Sequence, residues 1–283
     1  ITIAAGAGTT VQVTGADTHV WSVNGSSDGV GTLLSSNNST FSDVIGTTNA
    51  LATITQITGK TGTFSEAVEA TTINMVGTGV FKKAITATSI ILDGTMTVNN
   101  TAVIAVAGTF TESAANDTTK LIIKETADEA GAIATFANDI TLDAIEIGAA
   151  GDKAGLATFT GNVSGTVLVT GGDASEAAAA VFNGNQTGAV TLTRAAANQG
   201  EATVTLGGSA ATTLTGAVIA STNSLGDLVV SNTVGSTVTS TIGTDAAKLD
   251  SATVNANGIA TFKAATAANT LTVNGTLTLE ENA

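Results

Sequence analysis

Residues 157–169, ATFTGNVSGTVLV, return 23 positions later as AVFNGNQTGAVTL at 180–192. Ala157/Ala180, Phe159/Phe182, Gly161/Gly184, Asn162/Asn185, Gly165/Gly188 and Val167/Val190 match at that shift. The phrase has relatives at IATFA (133–137) and IATFK (259–263), and strands ending at Leu206 and Val230 continue the beat. Phe64, Phe81 and Phe110 carry similar phrases at looser intervals. A period of this size marks repeat architecture, in which each unit stacks on its neighbours.

The residues inside the repeat specify its type. Period-2 alternation with β-branched residues runs through TTVQVTG (9–15), IILDGTMTV (90–98), ATVTLGG (202–208) and TLTVNGTLTL (270–279), with Gly, Asn and Asp between the runs. Twenty-three residues hold two or three short strands, the content of one β-solenoid coil. The expected fold is therefore all-β: an elongated, parallel β-helix-like solenoid with coils of about 23 residues, about 12 of them, spaced ~4.8 Å apart. In such a stack like residues meet, so Phe forms an internal ladder and corner Asn residues such as Asn162 and Asn185 stack their amides. The chain contains no Pro, as suits a backbone whose N–H groups are nearly all engaged in ladders. Tandem β-sandwiches are the alternative, favoured by the hairpin-like turns LDGT (92–95) and VNGT (273–276). Residues 1–60 fit the beat least and read as an N-terminal cap or docking segment. Residues 61–283 read as the strand-repeat rod.

Charge and side-chain inventory exclude whole classes of function. A net charge of −14 with only nine Lys and Arg opposes nucleic-acid binding. No run of 18 apolar residues marks a transmembrane helix, and the absence of Cys removes disulfides and thiol chemistry. With neither an initiator Met nor a signal peptide, the chain reads as a processed form or a fragment. His19 is the only His and stands two residues from Asp17, so a base with an orienting carboxylate is conceivable there. An exposed strand pair is the simpler reading, and no enzymatic role is expected. Acidic residues are scattered over turns, with no Tyr and one Trp to form a sugar platform. Calcium is the candidate cofactor. Turn carboxylates beside carbonyl and amide oxygens suit a hard cation, which singles out Asp173 and Glu176 in TGGDASE and Asp128 and Glu129 in ETADEAG. Solvated turns are the plainer account of both.

The phrases ATFTGNVSGTVLVTGG, AVFNGNQTGAVTLT and NTLTVNGTLTL resemble the Thr/Gly/Ala/Asn-rich strand repeats of large bacterial surface proteins. Autotransporter passengers, filamentous adhesins and surface-layer proteins carry repeats of this style, and so do viral fibres. The resemblance covers about residues 61–283 and implies an exported, extracellular protein of the cell surface, or of a virion, with a structural or adhesive role. Both ends of the chain read as strands without the Pro or dense Lys that blunt an edge. The expected partner is accordingly a second copy, joined head to tail in a fibre or layer. An adhesin that recognises a glycan or host surface is the alternative.

Overall fold

A computed structural model describes residues 1–6, 8–99, 102–113, 119–124, 132–149, 155–172, 177–194 and 200–280. All regular structure among them is β-strand, and the pairing between successive turns of the chain is parallel. The fold is a β-solenoid. The chain divides into two compact units, Ile1–Ile122 with Ile133–Asp143 and Ile123–Ala132 with Ala144–Ala283.

In each unit a coil has three sides, called A, B and C in chain order. In the first unit, side A stacks Thr10–Val13 on Thr32–Ser35 and then on Leu51–Gln56. Side B stacks Thr18–His19, Ser39–Phe41, Thr61–Phe64, Thr78–Phe81 and Thr95–Val98. Side C begins with Thr2–Ile3 on Asn24–Gly25 and continues through Val23, Ile45 and Val68. Coil geometry thus extends through residues 1–60. In the second unit, side A stacks Gly155–Phe159, Ala178–Phe182, Ala202–Leu206, Asp227–Val230, Leu249–Val254 and Ala268–Val273. Side B ends with Ser236–Val238, Ile259–Phe262 and Thr276–Leu279, and side C with Val218, Ile242 and Thr266.

Alternation along each strand puts every second side chain into the narrow interior. Ala178, Ala180 and Phe182 are buried while Ala179 and Val181 face out, and the same alternation runs through Ala202–Leu206. All eight Phe are buried. Phe159 pairs with Phe182 in the register the repeat predicts, their rings stacked at 5.3 Å. That column then runs through Leu206, Val230, Val254 and Val273.

The single Phe ladder is corrected in three ways. Phe41, Phe64 and Phe81 form their own stack on side B, at 5.1 and 4.7 Å. Phe110 pairs with Ile90 and Ile140 on side A. Phe262, despite its familiar phrase, lies on side B between Val238 and Leu279, away from the Phe159 column. The cause is coil length. Partners lie 23 residues apart at Phe159/Phe182 but 17 apart at Phe64/Phe81 and 32 apart at Ile104/Phe136. Each change is absorbed at corners, so a phrase can return on another side.

The hairpin-like turns are corners between consecutive sides of one coil. Leu92 ends Ile85–Leu92 and Thr95 opens Thr95–Val98, and each strand pairs with neighbouring coils. Gly94 and Gly275 are there for proximity. A Cβ on Gly94 would fall 2.3 Å from the Gly77 carbonyl oxygen, and one on Gly275 2.2 Å from that of Gly258. Corner Asn residues also act otherwise than by amide stacking. Asn162 Oδ1 accepts the Asn185 backbone N–H at 3.0 Å, and Asn185 Oδ1 accepts that of Thr213 at 2.8 Å. Each Asn thus satisfies a corner donor of the next coil.

Candidate functional site

The last described coil is built like its predecessors but lies open. In Ala268–Val273 and Thr276–Leu279 the inward positions are Leu271, Val273, Leu277 and Leu279, set over Ala252, Val254, Ala260 and Phe262. Those four lower residues are fully buried. Leu271, Val273 and Leu279 are 46%, 44% and 54% exposed, with no strand over them among the described residues. The outer edges of both strands hold backbone N–H and C=O groups without a strand partner among the described residues. Lys263 and Glu280 form an ion pair of 3.2 Å at the rim. The result is an apolar triangular face fringed by free ladder groups.

The first described strands of the other unit differ. Ile3, Val13 and Val23, inward residues of the first coil, are buried. His19 sits inward above Phe41, with ring centroids 5.5 Å apart, and beside Trp21 at 5.0 Å. Its Nε2 is buried without a hydrogen-bond partner. His19 therefore tops the Phe41–Phe64–Phe81 stack as an aromatic plug. Ile1 and Val20 remain exposed at this end, and the Ile1 ammonium donates to the Ser22 carbonyl at 2.6 Å.

Asp128, Glu129, Asp173 and Glu176 lie outside the described residues. Among the described residues no three His, Asp or Glu side chains gather as a metal site. Asp28 and Glu69 line a shallow groove of about 260 Å³ with Thr71, Thr86 and Thr88, where Asp28 accepts the Ala50 N–H at 3.0 Å. On the first unit Glu112 accepts the Asp143 N–H at 3.4 Å. Desolvation, opposed by that hydrogen bond and reinforced by the Asp143 charge, raises the Glu112 carboxyl above the ordinary glutamate value. No described helix is long and apolar enough to cross a membrane.

The open coil is a feature that sequence reasoning reached only as a strand edge. TLTVNGTLTL alternates like every inner coil, and no signal in it tells that Leu271 and Leu279 lie uncovered. These features define the class as a three-sided parallel β-solenoid. Comparison with protein-family models, curated proteins and solved structures finds no match.

Proposed function

We propose that this is a structural protein of the extracellular surface whose copies assemble end to end into a fibre or layer. The observation that carries this reading is the parallel in-register β-solenoid, whose coils stack like on like with every Phe in the interior. Stacking of this kind extends readily from one copy to another, since a strand edge is a template for another strand. The contact is heterologous, so it need not close on itself. The side-chain inventory supports assembly over selective binding or catalysis. Every Phe is internal, and the single Arg, Arg194, is held by Glu201. That leaves little of the exposed aromatic and Arg material that makes binding hot spots. The resemblance to bacterial surface repeats supports the location.

Light scattering of the intact chain across concentration and salt tests the proposal. Mass should rise with concentration, and more steeply in high salt, where the repulsion of the −14 charge is screened. Leu271→Asp/Leu279→Asp and removal of residues 1–5 should each return the protein to monomer. An intact chain that stays monomeric at high concentration and high salt overturns the reading.

A further inference from the structure

We infer that the corner between sides A and B of the first unit encloses one buried water molecule. Gln56, Ser35 and the Asn37 carbonyl hold it, and it ties two successive coils together.

Shape does not explain an amide at position 56. The inward rank on side A runs Ser35, Gln56, Met75. The inward rank on side B runs Ser39, Gly62, Gly79. Gln56 and Met75 each lie against a glycine of the second rank. A Cβ on Gly62 would fall 2.3 Å from Gln56 Oε1, and one on Gly79 2.4 Å from Met75 Sδ. One coil further on, an apolar side chain of equal length therefore fills the same kind of slot. The amide at 56 answers to polar surroundings.

Those surroundings are buried and only partly satisfied. Gln56 and Ser35 are fully buried and Ser39 nearly so. The Ser39 hydroxyl is well placed, donating to the Gly15 carbonyl at 2.9 Å. Gln56 and Ser35 have no such partner. Both point at the Asn37 carbonyl, Gln56 Nε2 from 3.4 Å and the Ser35 hydroxyl from 3.5 Å. Good bonds of these kinds are shorter, about 2.7–3.2 Å from nitrogen and about 2.5–3.0 Å from a hydroxyl. Gln56 Oε1 has no partner at all. Turning the amide over would set two carbonyl oxygens against each other and leave Nε2 unpartnered instead.

A buried amide oxygen without a donor forfeits its hydration. Water enters such places where two to four polar groups converge. A water here donates to Gln56 Oε1 and to the Asn37 carbonyl and accepts from the Ser35 hydroxyl, which makes about three bonds, the usual number for an internal water. A cation is the poorer occupant. None of these groups is a carboxylate that would balance its charge, and two of them present N–H or O–H donors. Asn37 precedes a strand of one coil and Gln56 ends a strand of the next. The water thus fixes the corner between them at the level where Gly62 supplies no side chain.

A crystal structure of the intact chain reads the site directly. The expected result is a single density peak about 2.7–3.0 Å from both Gln56 Oε1 and Ser35 Oγ, together with cross-relaxation between water and the Gln56 side-chain amide by NMR in solution. No peak and no cross-relaxation overturn the inference, and so does an ion held at about 2.3–2.6 Å. Stability gives a second reading. Gln56→Met, the residue the next coil uses, strands Ser35 and the Asn37 carbonyl and should raise the unfolding constant about tenfold in urea. Gln56→Met/Ser35→Ala should lose less than the sum of the single changes, because both partners act through one water. A Gln56→Met variant more stable than the parent, or strictly additive losses, would show Gln56 Oε1 to be unhydrated and overturn the site.

Discussion

Phe64→Ala is the most direct test of the stacked interior. Phe64 is buried with its ring between those of Phe41 and Phe81, at 5.1 and 4.7 Å and nearly parallel. Truncating a buried Phe costs about 3–5 kcal/mol, depending on how far the site collapses. Here collapse is resisted on both sides, because the flanking rings are fixed by ladders at His19/Phe41 and Phe81/Val98. Two ring pairs are lost, each worth about 0.5–1.5 kcal/mol beyond its area, so the cost should be about 4–5 kcal/mol. Phe262→Ala is the control. Phe262 is also buried, but it is flanked by Val238 and by half-exposed Leu279, and about 3 kcal/mol is expected. Urea unfolding followed by the strand band in circular dichroism measures both, through the midpoint at constant slope. Trp21, whose ring lies 6.2 Å from that of Phe41, gives a second probe beside the Phe64 stack. A loss under about 1.5 kcal/mol for Phe64→Ala, or equal losses for the two variants, would refute ring stacking as a distinct contribution.

Three further outcomes follow from particular contacts. Gly46 and Gly59 both have positive φ, but a Cβ on Gly46 would fall 1.9 Å from the Glu69 carbonyl oxygen while one on Gly59 meets nothing. Gly59→Ala should cost about 1 kcal/mol, and Gly46→Ala should cost several times more in the same melt. Asn232 is buried; its Nδ2 donates to the Gly207 and Ala210 carbonyls, each at 2.7 Å, and its Oδ1 accepts the Val234 and Gly235 N–H groups. Asn232→Asp turns that donor into an acceptor facing two carbonyl oxygens. It should destabilise the protein more at pH 7 than at pH 4, because the buried acid is better tolerated protonated, and a pH-independent loss would contradict this. Glu112, with its carboxyl raised, binds a proton more readily folded than unfolded. Its contribution is present below the unfolded value and is lost as pH rises through the raised one. Glu112→Gln should remove that slope from the stability profile and leave the protein slightly more stable at neutral pH, as thermal melts across pH would register.

The repeat at 157–169 and 180–192 determined its own pairing by itself. Ala157, Phe159 and Val167 meet Ala180, Phe182 and Val190 as the sequence aligns them. Parallel in-register stacking rewards like on like, so a repeated phrase of constant length carries its register with it. Absence of Pro and alternation of β-branched residues likewise decided for ladders over helices. Which side of the coil a residue occupies was a tertiary matter. IATFK resembles LATFT, yet Phe262 and Phe159 lie on different sides, because side identity follows from accumulated corner lengths and a local phrase does not record them. The same holds for LDGT and VNGT. Their glycines answer to a carbonyl one coil away, a contact about 17 residues back along the chain that resembles a hairpin signal only when read locally. The open face was decided last of all. Leu271 and Val273 obey the same alternation as Ala252 and Val254 beneath them, and only the presence or absence of a coil above makes one pair core and the other surface.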